Sequence, residues 1–273
     1  MFRDTTRTAL AKHGIRASQV KVVGLLPAVT IAVSAGWLLA PGGGPSGPKA
    51  RPPRAAPARL AVRHGPTATP SAAPPATTTL ATVLRSTPSY ASPGQPAKDT
   101  VPVNWYGRPS VLPVIGTKPG WVRVRLAQRP NGATTWLPDR DVKLGSTPYR
   151  IVVHTATMHV ALYKYGQLVF SAPAGVGTVD DPTPHGEYFV AFDEPPPGPG
   201  YGPFVMVTSA HSQAISDWEG SGDAVIGIHG PLGMDAAIGT AGARISHGCI
   251  RLHDQVLEKL TAVPPGTPID VVS

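Results

Sequence analysis

A proline-rich stretch at residues 41–100 limits where this chain can build a folded core. It contains thirteen prolines and many alanines, serines and threonines, with few large apolar side chains. Such a composition buries too little apolar surface to offset the entropy of ordering the chain, and proline favours extended polyproline II conformations. We therefore predict a linker at residues 41–100, with the folded domains confined to the residues that follow it.

The residues before the linker have the pattern of a membrane anchor. Residues 22–40 form a nineteen-residue stretch without charge, long enough to span a bilayer core. Residues 1–21 contain five basic residues and one acidic residue, which predicts a cytoplasmic N-terminus and export of the rest. Cleavage as a signal peptide, giving a secreted protein, is the alternative, but a cut after Ala40 would put Leu38 where a small residue is needed. We predict a cytoplasmic tail and a retained transmembrane anchor in the cell membrane.

The net charge of +8 is unevenly distributed. Residues 1–148 contain 19 basic and 4 acidic residues, whereas residues 149–273 contain 5 basic and 12 acidic residues. This separation does not favour nucleic acid as a partner. A basic tail, linker and small domain fit anionic wall polymers or lipid headgroups, although simple solvation explains them equally well.

Strand signals at residues 101–147 predict a small β domain. Residues 121–126 alternate apolar and basic side chains after Val122, residues 129–132 contain an Asn-Gly turn, and residues 134–137 form a second apolar run. The segment resembles a small bacterial SH3-like barrel. Two functions stay open for it: binding the wall or positioning substrate, and bracing the domain that follows.

The only cysteine of the chain, Cys249, has the surroundings of a nucleophile. A single thiol forms no disulfide within a monomer, and because a free thiol with a pKa of ~8.5 is little ionised at neutral pH, it needs a base. His247 is tethered too closely to bond well with the sulfur. His229 follows a predicted buried strand at residues 224–228 and can approach from a neighbouring strand. We assign His229 as general base and acid.

Other residues of the segment Ser246-His247-Gly248-Cys249-Ile250-Arg251 have predicted supporting roles. His247 orients the substrate or supports an oxyanion site, and Ser246 contributes to catalysis or only caps a turn. Gly248 lets the backbone approach a ligand, so its amide and that of Cys249 are candidates to face an oxyanion. A metal site is disfavoured, because His253 would have to join the two other histidines and no Cys-x-x-Cys pair exists.

The rest of this half predicts strands, loops and one late helix. Residues 194–202 read as a loop and residues 204–207 as a strand. Two roles stay open for Tyr201 and Trp218: shaping the substrate site as a lid, and packing in the core, which is more common for aromatic residues. Asp254 is predicted to cap a helix that runs to residue 260, and residues 269–272 form a last strand. A mainly β fold follows.

These residues resemble a known family. His229, followed after sixteen residues by Ser246-His247-Gly248-Cys249, is similar to the signature of L,D-transpeptidases with a YkuD-like catalytic domain. Residues 150–171 resemble the opening hairpin of that domain, and residues 175–189 resemble its next block, with His185 where threonine is more familiar. Arg251 replaces an asparagine of many members and is itself a familiar variant. The resemblance covers residues 149–273 and implies a β-sandwich.

The resemblance implies a peptidoglycan L,D-transpeptidase. Cys249 would attack the carbonyl of the third stem-peptide residue, release the terminal D-alanine and hold a thioester, which an amine of a neighbouring stem converts into a 3→3 cross-link. Gly230 and Arg251 would contact substrate, carbapenems would acylate the thiol, and no metal or organic cofactor is needed. An L,D-carboxypeptidase or cross-link hydrolase using the same thiol, and a non-catalytic wall-binding module, remain as alternatives.

Overall fold

The computed structural model describes residues 73–218 and 220–273. The predicted cytoplasmic tail, the predicted anchor and the first part of the predicted linker lie outside these residues. Within the described ranges, no helix has the length and apolar character needed to cross a membrane.

The described residues form two large sheets, two small ones and one short α-helix. The strands of residues 78–147 are β1 (Thr78–Val83), β2 (Thr87–Tyr90), β3 (Ala97–Val101), β4 (Asn104–Trp105), β5 (Arg108–Pro109), β6 (Val111–Lys118), β7 (Trp121–Arg125), β8 (Thr134–Pro138) and β9 (Val142–Thr147). The later strands are β10 (Tyr149–His154), β11 (His159–Lys164), β12 (Gln167–Pro173), β13 (Val176–Gly177), β14 (Gly186–Glu194), β15 (Val205–His211), β16 (Val225–His229), β17 (Arg244–Ser246), β18 (Ile250–Arg251) and β19 (Pro268–Val272). The helix α1 is Asp254–Glu258, and 3-10 turns lie at Asp139–Asp141 and Asp235–Ala237.

The first large sheet forms the N-terminal β unit, residues 78–147. Its strand order is β3-β2-β8-β7-β6-β1-β9, with β4 and β5 paired separately. The predicted strands at residues 121–126 and 134–137 are confirmed as β7 and β8, and Val122 and Val124 are buried between exposed or half-buried basic residues. The resemblance of this unit to an SH3-like barrel stays a prediction.

The prediction that the linker extends to residue 100 is wrong from Thr78 onward. Strands β1, β2 and β3 lie in that segment, and β1 pairs with both β6 and β9. Residues 78–83 read Thr-Thr-Leu-Ala-Thr-Val, a β-branched run whose Leu80, Ala81 and Val83 are buried. Such a run favours a strand, but a composition averaged over sixty residues hides it.

The second large sheet forms the predicted catalytic region and is called the catalytic sheet; its strand order is β12-β11-β10-β19-β14-β15-β16-β18. The predicted opening hairpin is confirmed as the antiparallel pair β10 and β11, and β12 continues it. The predicted last strand is confirmed as β19, which lies between β10 and β14 in the middle of the sheet. Its buried Ile269 and Val271 belong to the main apolar core.

The late helix is shorter than predicted. It begins at Asp254, and His253 occupies the N-cap position without a side-chain hydrogen bond, so the prediction that Asp254 caps the helix is wrong. The helix ends at Glu258, although Leu257 and Leu260 are both fully buried. Their apolar spacing therefore reflects burial against the sheet rather than a longer helix.

The N-terminal β unit packs against the catalytic sheet within one compact unit. Phe189 of β14 belongs to the apolar core of the β unit. Arg125 of β7 forms an ion pair with Glu187 of β14. Thr147 and Thr267 place their hydroxyl oxygens 3.2 Å apart in buried surroundings. Apolar and polar contacts together fix the two sheets against each other.

Candidate active site

The thiol of Cys249 and the imidazole of His229 lie on the same face of the catalytic sheet. Strand β16 pairs in parallel with β18, with His229 beside Arg251. The amide of Gly227, two residues before His229 in β16, donates to Cys249 Sγ at 3.4 Å. Because side chains alternate between faces along a strand, His229 and Cys249 are diagonal neighbours on one face. The predicted strand that delivers His229 beside the thiol segment is confirmed.

A hydrogen bond fixes the tautomer of His229. Its Nδ1 lies 2.8 Å from the carbonyl oxygen of Gly230. A carbonyl only accepts, so Nδ1 carries the proton and the neutral ring keeps a lone pair at Nε2. Nε2 is buried and has no hydrogen-bond partner among the described residues. The imidazole therefore presents a basic nitrogen that is not already used.

Burial keeps both groups neutral. Burial raises the pKa of Cys249 to about 11, while the hydrogen bond from Gly227 and the charge of Arg251 oppose this rise. Burial also lowers the pKa of His229 to about 4, an effect that the Gly230 carbonyl opposes and the charge of Arg251 reinforces. At neutral pH the pair is a thiol and an imidazole rather than a thiolate and an imidazolium.

Arg251 is a buried cation beside this pair. It is 5% exposed, and its Nε has no hydrogen-bond partner in the part of the chain that the structure describes. Burial lowers the pKa of Arg251, whereas Cys249 and Tyr201 raise it. A guanidinium stays protonated under such conditions, so a positive charge faces the thiol. This arrangement favours the thiolate once it forms and favours an anionic group of a ligand.

The turn before the thiol is held by Ser246. Its Oγ donates to the carbonyl of Cys249 at 2.6 Å and accepts from the amide of Gly248 at 3.2 Å. Of the two predicted roles of Ser246, the structure favours the turn. The Gly248 amide, predicted to face an oxyanion, donates to Ser246 in this structure, and its oxyanion role stays a prediction. Gly248 has φ +116°, and a Cβ there would lie 2.7 Å from Ile226 Cδ1, so the turn and its packing require glycine.

Thr183 braces the same turn and was missed by the sequence analysis. Its hydroxyl donates to the carbonyl of Gly248 at 2.8 Å and accepts from the amide of Gly177 at 2.9 Å. Thr183 is buried. No local sequence pattern around Thr183 predicts this contact, because its partner Gly248 is 65 residues away in the chain.

His247 lies at the edge of the site. Its ring centroid is 5.4 Å from that of Trp218, at an interplanar angle of 42°. Its Nε2 is 3.8 Å from a carboxylate oxygen of Asp181. Its Nδ1 is buried without a hydrogen-bond partner among the described residues. A half-exposed ring held between these two neighbours fits the predicted orienting role better than support of an oxyanion.

The aromatic residues Tyr201 and Trp218 pack at the site. Tyr201 is buried and Trp218 half-buried, and both pack in the apolar cluster that contains Cys249. The ring centroid of Tyr201 lies 5.0 Å from that of His229. These side chains cover the reactive pair, since Cys249 is 1% and His229 0% exposed.

Gly230 has a packing role, and its predicted substrate contact stays a prediction. Its amide donates to the carbonyl of Tyr201 at 2.7 Å. A Cβ at Gly230 would lie 2.5 Å from the amide nitrogen of Gly202. Only glycine permits the loop at residues 200–202 to approach the end of β16 so closely.

Residues 148–271 match the family model of the YkuD L,D-transpeptidase catalytic domain. The YkuD protein of Bacillus licheniformis is 33% identical over 125 residues, which are 45% of this chain and 66% of that protein. The YkuD protein of Bacillus subtilis is 29% identical over the same length and coverage. A solved L,D-transpeptidase from Mycobacterium smegmatis is 22% identical, with coverage of 59% of this chain and 82% of that one, and a TM-score of 0.37.

The match assigns residues 148–271 to the catalytic domain class of L,D-transpeptidases. The family is that of YkuD, and it is shown for this domain, which is less than half of the chain. The matched region spans 66% of the length of the two curated relatives.

Proposed function

We propose that this protein is a peptidoglycan L,D-transpeptidase that forms 3→3 cross-links, with Cys249 as nucleophile and His229 as general base and acid. One observation carries the proposal. Nδ1 of His229 donates to the Gly230 carbonyl at 2.8 Å. Its Nε2 is buried, has no hydrogen-bond partner among the described residues, and lies on the face of the sheet that carries the thiol.

In the first half-reaction, Nε2 of His229 takes the proton of the Cys249 thiol. The sulfur attacks the carbonyl carbon of the third stem-peptide residue, and the electron pair of that carbonyl moves to oxygen. When the tetrahedral intermediate collapses, the bond to the terminal D-alanine breaks and His229 returns the proton to the leaving amine. The products are a thioester on Cys249 and free D-alanine.

In the second half-reaction, the side-chain amine of a neighbouring stem replaces D-alanine. His229 takes a proton from the attacking amine, whose nitrogen forms the new amide bond. The carbon–sulfur bond breaks, and the thiolate regains a proton from His229. Hydrolysis follows the same course with water as the acceptor, so the balance between cross-linking and hydrolysis depends on which acceptor reaches the thioester.

Substrate binding has to activate a pair that is neutral at rest. With the pKa of Cys249 about 11 and that of His229 about 4, proton transfer in the closed site is unfavourable. The charge of Arg251 stabilises the thiolate. The thiolate is then removed as it forms, because its sulfur bonds to the carbonyl carbon. Each preorganised donor to the developing oxyanion would contribute roughly 3 kcal/mol of transition-state stabilisation. We assign His247 the orientation of the bound stem.

The proposal includes an extracytoplasmic location at the cell membrane. Its support is the uncharged run at residues 22–40 behind a basic segment. The basic linker would then lie between the membrane and the wall, where anionic polymers provide complementary charge.

The test is product analysis with the full chain. The protein is incubated with a stem tetrapeptide, with and without an amine acceptor, beside Cys249→Ala and His229→Ala. Release of D-alanine with peptide dimers, absent in both variants, is expected. Release without dimers would favour a carboxypeptidase or hydrolase. If no D-alanine is released, the proposal is contradicted and a wall-binding module is favoured. Sedimentation of Cys249→Ala with purified wall would then measure that binding.

A further inference from the structure

The loop between β15 and β16, residues 212–224, carries an aromatic side chain to the candidate active site. Trp218 of this loop lies with its ring centroid 5.4 Å from that of His247. It also packs against the apolar cluster that contains Cys249. The indole nitrogen of Trp218 is buried without a hydrogen-bond partner among the described residues. The position of this loop therefore determines one wall of the site.

Two residues of the N-terminal β unit hold this loop. Arg129 donates from Nη1 to the carbonyl of Ser212 at 2.8 Å and from Nη2 to the carbonyl of Ile215 at 3.0 Å. Asn131 forms a reciprocal pair with the backbone of His211, accepting from its amide at 2.9 Å and donating to its carbonyl at 2.8 Å. The β7–β8 turn thus contacts the loop at its beginning.

Arg129 also reaches the end of the loop. Its Nε donates to a carboxylate oxygen of Asp223 at 2.8 Å, and the other carboxylate oxygen lies 2.8 Å from Nδ1 of the buried His211. The carbonyl of Asp223 accepts from the amide of Trp218 at 2.9 Å. A short series of contacts therefore runs from Arg129 through Asp223 to Trp218, and from Trp218 to His247.

We propose that Arg129 is a positioning residue for acyl transfer at Cys249, acting through Asp223 and Trp218, so that the β unit sets the geometry of the active site. This inference rests on the proposed function. The planar guanidinium suits the role, because its three nitrogens are spaced to bond to three separate groups of one loop, whereas the donors of a lysine all share one nitrogen. A misplacement of about 1 Å at a catalytic site costs on the order of a hundredfold in rate.

A double-mutant cycle on the full chain tests this inference. Arg129→Ala, Trp218→Ala and the double variant are compared by the second-order rate constant for thioester formation with a stem tetrapeptide. Arg129→Ala should lower this constant about tenfold to a hundredfold. In the Trp218→Ala background the same change should have no further effect, because Arg129 acts through Trp218. Additive effects would overturn the inference, as would an unchanged rate in Arg129→Ala.

Arg123→Ala is the matched control, since Arg123 lies in the same β unit and its side chain bonds only to Thr134 among the described residues. It should leave the rate unchanged, and a loss equal to that of Arg129→Ala would overturn the inference. Arg129→Lys keeps the positive charge but not the three bonds. If it folds and still forms the thioester slowly, the lower rate of Arg129→Ala is not explained by a loss of folding.

Hydrogen exchange separates this inference from the proposed function. In Arg129→Ala, amides of residues 212–224 should exchange faster while those of β16 stay protected. Unchanged exchange in the loop would overturn the inference whatever the enzyme does. If the wild-type protein forms no thioester, the proposed function fails, and the exchange measurement still decides whether Arg129 positions the loop.

Discussion

His229 and Arg251 are direct partners in the parallel pairing of β16 with β18. A neutral base and a permanent cation thus flank one thiol. The charge of Arg251 lowers the pKa of both His229 and Cys249, but for Cys249 burial has the larger effect and raises the pKa. The site is electrostatically suited to stabilise a thiolate or a substrate anion, although burial keeps the thiol itself neutral at neutral pH.

Replacing Arg251 with glutamine should make the thiol less reactive. Loss of the positive charge raises the pKa of Cys249 further, because only the hydrogen bond from Gly227 then opposes burial. We expect alkylation of Cys249 by iodoacetamide to slow severalfold at a fixed alkaline pH, because a smaller fraction of the thiol is then ionised. Arg251→Lys keeps the positive charge, so its alkylation rate should fall much less. Equal rates for wild type and Arg251→Gln would contradict the electrostatic role.

The low pKa of His229 predicts a specific loss of stability in acid. The imidazole titrates at about 4 in the folded protein and near 6.5 when unfolded, so the unfolded state binds more protons between these values. This contribution to stability is complete above pH 6.5 and is lost as the pH falls toward 4. Between pH 7.5 and 4.5 it amounts to about 2 to 3 kcal/mol.

The measurement is urea unfolding of wild type and His229→Gln at both pH values. The variant should lose less stability on acidification. Burial raises the pKa of Asp193 to about 6, so this residue favours the folded state as the pH falls and opposes the effect of His229. Because Asp193 is present in both proteins, its effect cancels in the comparison. Identical losses in the two proteins would show that His229 is not held neutral by the fold.

Thr183→Val should damage the turn that presents the thiol. The substitution keeps the side-chain volume but leaves the buried amide of Gly177 and the carbonyl of Gly248 without the hydroxyl. We expect a loss of about 1 to 3 kcal/mol in the free energy of unfolding and slower acylation of Cys249. Thr240→Val is the control, since its exposed hydroxyl bonds only within a local turn. Equal stability of both variants would contradict the bracing role.

Gly230→Ala should destabilise the protein without removing any functional group. The new Cβ would lie 2.5 Å from the amide nitrogen of Gly202, so the backbone has to move. Overpacking of this kind costs about 1 to 3 kcal/mol. Gly242→Ala meets no atom within 4 Å and serves as the control in thermal unfolding. Unchanged melting with impaired substrate binding would instead support the predicted substrate contact.

The sequence predicted the parts of the fold whose signal is local. The alternation in residues 121–126 and the buried apolar run before His229 correspond to β7 and β16. Strands β1 to β3 were missed because proline content was averaged over a long window, which hid the short β-branched run of β1. The extent of the linker was therefore overestimated at its C-terminal end.

The candidate site shows the same limit. Cys249 and His229 were identified by residue type and by the strand that precedes the histidine. Thr183 and Trp218 were missed as site residues because their contacts join segments far apart in the chain. The same holds for the contacts of Arg129 from which its positioning role is proposed. The competition of the Ser246 hydroxyl for the Gly248 amide was also not foreseen from the sequence, because it depends on the fold of the turn.

The central claim is that Cys249 is the nucleophile, and a carbapenem tests it most directly. The full chain, Cys249→Ala and His229→Ala are incubated with a carbapenem, and the modified peptide is located by mass spectrometry. We predict one adduct on Cys249 in the wild-type protein, slow formation in His229→Ala and none in Cys249→Ala. An adduct of the same mass that persists in Cys249→Ala would contradict the assignment.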